Sequence, residues 1–64
     1  MWVNGAEVVL LGECALKAFL DREGYDASRV AVERNGEIVP KNAFEAVTLS
    51  DKDRLEIVAF IGGG

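Results

Sequence analysis

An α+β fold, a mixed sheet of four to five strands packed on one main helix, follows from three features of the chain. Two Asn-Gly pairs stand between strand-like runs, a stretch of helical period lies between them, and an apolar strand closes the sequence. A hairpin, a helix crossing the sheet and a last strand able to insert between earlier ones make one compact unit.

The first hairpin is "WVNGAEVVL", with Asn4-Gly5 at its tip, and the second is "VAVERNGEIV", with Asn35-Gly36. A two-residue type I′ turn needs positive φ at both central positions, which Asn and Gly accept most readily. Between them, "ECALKAFLDREG" changes period. Ala15, Leu16, Phe19 and Leu20 form one apolar stripe while Lys17, Asp21 and Arg22 face outward, which predicts a helix over 13–23. Gly24 is placed to end it in a left-handed conformation. Its start has no Ser, Thr, Asp or Asn, leaving Gly12 as the expected cap and Glu13 as a favourable charge for the helix dipole. In the second hairpin Val30 and Val32 alternate with Ala31 and Glu33 as a half-buried strand, and Pro40, with no N–H to offer, ends the pairing after Ile38-Val39. "KNAFEAV" reads as one short helical turn that dips Phe44 and Val47 into the core. "SDKD" at 50–53 is a turn, and the last strand runs from Arg54 to about Ile61.

Sixty-four residues make one domain, expected over 1–61 with 62–64 a flexible glycine tail. At this size a chain buries only about 60% of the surface its unfolded form exposes. One cysteine permits no internal disulfide, so the apolar half of the chain must supply the core unaided. A reducing compartment fits, and a cytoplasmic location is the expectation. With no histidine and one cysteine, neither a nitrogen–sulfur zinc site nor a Ser–His or Cys–His nucleophile can be assembled. No run of about 18 apolar residues exists to cross a membrane, and Met1 to Gly5 lacks the basic start of a signal peptide. The net charge is −4 with scattered Lys and Arg, which disfavours nucleic acid and suits docking onto a more basic protein. Cys14 has no neighbouring cation in sequence and reads as a small packed residue. Asp51 and Asp53, two acids in a turn, read as solvated surface rather than a metal site.

Alternation divides the last strand. Leu55, Ile57, Ala59 and Ile61 share the face expected to meet the helix, and Glu56, Val58 and Phe60 share the other. Val58 and Phe60 have two readings: packed under a loop, or exposed with Ile61 as a patch where a partner docks. Gly62-Gly63-Gly64 also has two. It is a terminus without a role, or a handle whose lack of Cβ atoms lets it enter a channel closed to other sequences. Three residues reach at most about 10 Å. A carboxylate at their end is a poor electrophile, and a partner would have to activate it, for example by adenylation.

The stretch from Val30 to Gly64, "VAVERNGEIVPKNAFEAVTLSDKDRLEIVAFIGGG", resembles the ThiS family of sulfur carriers in thiamine biosynthesis. The specific part is the Asn35–Pro40 hairpin together with Phe44, the acidic turn Asp51–Asp53, the strand Leu55–Ile61 and the terminal Gly63-Gly64. The resemblance implies a ubiquitin-like β-grasp and a carrier that is not itself an enzyme. It implies that Gly64 is adenylated by a ubiquitin-activating-enzyme-like adenylyltransferase (ThiF type) and bears the sulfur. Gly63 would complete the motif that this enzyme threads, with Gly62 ahead of it in the tail. No cofactor would be bound, Mg-ATP being used by that partner. A persulfide would donate the sulfur, and thiazole synthase (ThiG type) would accept it. No nucleic acid or membrane is implied. Three departures stand out: Lys52 where the family's turn usually has glycine, the weak helix cap, and a short loop between the first hairpin and the helix. A related carrier for molybdopterin synthase, a ubiquitin-like modifier that bonds to lysines, and a plain interaction domain are the alternatives.

Overall fold

The structure, a computed structural model, describes residues 1–60; the expected tail and Ile61 lie outside them. In chain order the elements are β1 (Trp2–Val3), β2 (Ala6–Glu7), β3 (Cys14–Ala15), α1 (Leu16–Arg22), β4 (Val30–Arg34), β5 (Glu37–Val39), β6 (Thr48–Leu49) and β7 (Arg54–Ala59). Short 3-10 turns cover Ala27–Arg29 and Lys41–Ala43. The main sheet has the order β2-β1-β7-β4-β5. Both outer pairs are the expected hairpins, and β7 inserts between them, parallel to β1 and antiparallel to β4.

The two turns behave as their chemistry dictates. Asn4 and Asn35 have φ of 51° and 53°, each followed by a glycine near +85°, and no other described non-glycine residue has positive φ. Lys52 therefore sits in a backbone conformation that any side chain tolerates, and its departure from the family pattern costs no strain.

The helix is shorter than its apolar period suggests. Cys14 and Ala15 pair with Leu49 and Thr48 as a small second sheet, so helical geometry starts at Leu16. Gly12 does not cap it; Ala15 stands at the cap with no side-chain hydrogen bond. The first free amides are satisfied through space, Leu16 N–H donating to the Val47 carbonyl at 2.8 Å and Lys17 N–H to that of Phe44 at 2.9 Å. The "KNAFEAV" turn thus caps the helix as well as burying Phe44. The other end is as predicted. Gly24 N–H donates to Asp21 O and Tyr25 N–H to Leu20 O, the paired bonds of a Schellman ending, with Gly24 at φ +84°.

Leu16, Phe19 and Leu20 of α1 pack on Val3, Val30, Val32, Leu55 and Ile57 of the sheet, closed at the edges by Met1, Leu10, Phe44 and Leu49. Ala15, assigned to the stripe from its spacing, is only half-buried because it lies in β3. Lys17 and Asp21 pair on the outer side of the helix at 2.6 Å.

Candidate functional site

The site is the end of β7 from which residues 61–64 continue. Val58 and Phe60 both lie on the sheet face opposite α1 and are each 58% exposed. Val58 stands beside Ala31 of β4, which is exposed too, so a bare apolar band leads along the open face to the chain end. Next to it Glu56 is paired directly with Glu33. Like charges opposite one another in a sheet repel, so this pair favours a partner that brings a cation there. Trp2 and Arg54 continue the face, enclosing with Gly5 and Glu56 a hollow of about 250 Å³.

Ala59 corrects the expected division of the strand. Leu55 and Ile57 are buried under α1, but Ala59 is exposed although it shares their face. A seven-residue helix is about 10 Å long and a six-residue strand about 20 Å. The helix cannot cover all of β7, and the strand runs out beyond it. Ile61, Gly62, Gly63 and Gly64 lie outside the described residues, so of the candidate residues only Val58 and Phe60 are placed.

Two groups hold β7 in roles that the sequence did not announce. Asn4, beyond its turn role, accepts from Ile57 N–H through Oδ1 at 2.8 Å and donates from Nδ2 to Ile57 O at 3.2 Å. Its amide thus extends the β1–β7 ladder past the last residue of β1. The second is Asp53, which is buried rather than solvated. It accepts from Arg34 Nε at 3.0 Å, Asn35 Nδ2 at 3.0 Å and Ser50 N–H at 2.9 Å. Asn35 Oδ1 in turn accepts from Arg54 N–H at 3.0 Å. The network ties the second hairpin to the start of β7. An isolated acidic turn in sequence gives no sign of it, since its partners lie 18 and 19 residues away.

Burial pushes the Asp53 carboxyl up, but the Ser50 amide, the Asn35 amide and the Arg34 guanidinium together hold it below the usual carboxylate range. A depressed folded value means stability that is present above the unfolded value and lost as pH falls through the folded one. Urea midpoints should therefore fall on acidification below about pH 5, and Asp53→Asn should be less stable at neutral pH by about 1–3 kcal/mol with a shallower acid slope. Asp51 adds a contribution of the same sign. The hydrogen bond from the Met1 ammonium at 3.0 Å, and its charge, lower that carboxyl. Urea titrations of both proteins between acid and neutral pH check this.

Cys14 is half-buried in β3 opposite Leu49. Among the described residues no group of three or more acids, histidines or cysteines converges to hold a metal. No described helix is long and apolar enough to cross a membrane.

The geometry is therefore a small sheet whose central strand precedes the glycines in sequence, and comparison with known proteins finds the same fold. The sequence profile of the ThiS family matches residues 2–64. Thiazole synthase of Paramagnetospirillum magneticum is 50% identical over 62 residues, which are 97% of this chain and 19% of that protein. The sulfur carrier protein ThiS of Bacillus subtilis is 54% identical over 35 residues, 55% of this chain and 53% of that one. The crystal structure of the thiamine biosynthesis protein (ThiS) from Geobacter metallireducens is similar with a TM-score of 0.81 at 35% identity, covering 98% of this chain and 96% of that chain. This chain thus spans about a fifth of the thiazole synthase, about half of the Bacillus carrier and nearly all of the Geobacter structure. Its five-stranded mixed sheet on one main helix is a ubiquitin-like β-grasp. With the family profile met along nearly its whole length and the fold shared, the chain belongs to the ThiS family.

Proposed function

We propose that the chain is the sulfur carrier of thiamine biosynthesis, presenting the carboxylate of Gly64 for conversion to a thiocarboxylate. The observation that carries this reading is the family match running to residue 64, through the glycine end that follows the central strand. The chain acts as a cosubstrate, and its partners perform the chemistry. In an adenylyltransferase of the ubiquitin-activating type, a Gly64 carboxylate oxygen attacks the α-phosphorus of Mg-ATP and pyrophosphate leaves. The terminal sulfur of a persulfide then attacks the acyl carbon and AMP leaves, giving an acyl disulfide. A second thiol attacks the donor-side sulfur, which releases the thiocarboxylate and leaves a disulfide behind. Thiazole synthase is the acceptor, a reading supported by the thiazole synthase of Paramagnetospirillum magneticum, which contains a segment similar to this chain.

The part played by this chain is presentation. Backbone pairing on both sides holds β7, and the absence of Cβ atoms at 62–64 permits entry to a narrow channel. The Ala31–Val58–Phe60 band, with Ile61 next in the chain, forms the docking surface. Val58→Asp should weaken binding to the adenylyltransferase by about tenfold or more while leaving the melting temperature nearly unchanged. Calorimetric titration with paired thermal melts reads both.

The test of the function is intact mass after incubation with Mg-ATP, the organism's adenylyltransferase and a persulfide donor, using a Cys14→Ser chain to remove thiol oxidation as a confounding gain. Exchange of one oxygen for one sulfur, dependent on ATP, is the expected result. A lysine conjugate in its place, or no product, overturns the carrier reading.

A further inference from the structure

Each hairpin turn lends its asparagine side chain to β7. Asn4 accepts from Ile57 N–H through Oδ1 and donates from Nδ2 to Ile57 O, and both bonds are partly buried. Asn35 accepts from Arg54 N–H through Oδ1 at 3.0 Å, a solvent-exposed bond. Its Nδ2 donates at 3.0 Å to the carboxylate of Asp53, the residue just before the strand. Each asparagine is followed by an exposed glycine. Such a step is open to attack by its own backbone. No side chain on the second residue shields the Asn Cγ from the next backbone nitrogen, and the conformational freedom of glycine lets that nitrogen approach. Immediate neighbours aside, no heavy atom stands within 4 Å of where a Cβ would lie on Gly5 or Gly36, so solvent reaches both.

We infer that Asn35-Gly36 is a deamidation site held closed by the fold, with the start of β7 as its latch and Asn4-Gly5 as a second site behind it. The co-reactants are hydroxide and water. Hydroxide takes the Gly36 amide proton, and the nitrogen attacks Asn35 Cγ. The new N–Cγ bond closes a succinimide, the Cγ–Nδ2 bond breaks, and ammonia leaves with a proton from water, which regenerates hydroxide. Water then opens the ring at either carbonyl, leaving aspartate or isoaspartate at position 35. The attack turns a planar amide tetrahedral and ends by removing Nδ2, so neither hydrogen bond of Asn35 survives it. Reaction therefore runs from the locally opened form, at the unfolded rate multiplied by the fraction open. One bond of Asn35 is solvent-exposed while both of Asn4 are partly buried, so Asn35 opens first. An acid at position 4 can still accept from Ile57 N–H. An acid at position 35 instead sets a second carboxylate against Asp53, which is buried and keeps only Arg34 and Ser50 as donors. Like charges so close repel, and the latch does not close again. Arg54 and Leu55 are also where β1 pairs with β7, so loosening there frees the Asn4 turn to react in its turn.

The experiment is incubation of the full chain in warm, mildly alkaline buffer, with and without enough urea to unfold it. Peptide mass mapping follows the amide-to-acid mass gain at each asparagine. In the folded chain Asn35 should react about tenfold or more slowly than in urea, the population factor for opening two hydrogen bonds, and Asn4 more slowly still. Asp53→Ala removes the acceptor of Asn35 Nδ2, and in its folded form Asn35 should react about fivefold faster than in the parent. In an Asn35→Asp chain, which carries the product from the start, Asn4 should react faster than in the parent. Equal rates at Asn35 with and without urea overturn the inference, as does an unchanged Asn35 rate in folded Asp53→Ala. An Asn4 that reacts ahead of Asn35, or at the parent's rate in Asn35→Asp, overturns the order of the two sites. The parent's rates decide for the latch even where Asp53→Ala fails to fold.

Discussion

Leu20→Ala is expected to leave a large part of the protein unfolded at 25 °C. Leu20 is fully buried, on the face of α1 that meets the sheet. Removing its isobutyl group loses the transfer free energy of the buried carbons and leaves a cavity, a cost of about 2–5 kcal/mol. A 64-residue domain at the usual stability per residue has roughly 3–10 kcal/mol in total. No disulfide stands behind the core, because the chain has one cysteine. Leu20 also supplies the carbonyl that accepts from Tyr25 N–H at the helix end, so core and ending loosen together. Urea denaturation followed by far-ultraviolet circular dichroism gives the number. A loss below about 1 kcal/mol would show that the core relaxes into the space, and that its packing is less demanding than the burial of Leu20 implies.

Deletion of Gly64 is expected to abolish the ATP-dependent gain of sulfur while leaving the fold untouched. The reaction proposed above takes place at one carbon, the terminal carbonyl. Shortening the chain by one residue withdraws the carboxylate by about 3.5 Å, enough to separate reacting atoms that must approach within about 3–3.5 Å. Among the described residues the buried core ends at Ile57, seven residues before Gly64, so melting temperature and urea midpoint should match those of the full chain. Intact mass and thermal melts on the same samples separate the two effects. Sulfur gain persisting after the deletion would move the site away from the chain end and remove the basis of the carrier reading.

The parts of the fold legible in the sequence are those whose cause is local. Asn4-Gly5 and Asn35-Gly36 specify their turns because positive φ at two successive residues is a property of the residues themselves. The stripe of Leu16, Phe19 and Leu20 and the ending at Gly24 are likewise settled within one or two helical turns. Val58 and Phe60 could be assigned to one face by alternation, but whether that face was covered could not, since this depends on where other elements pack. The same limit explains Ala59. Its parity with Ile57 was readable, while its exposure follows from a helix too short to reach it.

The other misreadings share one physical origin, hydrogen bonds closed across long stretches of chain. The pairing of Cys14–Ala15 with Thr48–Leu49 spans more than thirty residues and has no turn signal to announce it. Gly12 looked like a helix cap because no side-chain cap was in reach, whereas carbonyls from Phe44 and Val47 met the free amides instead. Asp53 looked solvated because its partners Arg34 and Asn35 come from the other hairpin.

By itself, then, the sequence determined the turns, the core stripe, the central closing strand and the family to which the chain belongs. Those depend on residue identity and short spacing, where backbone sterics and side-chain period act directly. Only the tertiary structure decided how the helix is capped, that Asp53 is the buried tie between hairpin and strand, and that the Asn4 amide holds Ile57 past the end of β1. Each of these is the pairing of a polar group whose partner is distant in the chain, and such pairings are set by how the sheet and helix pack together.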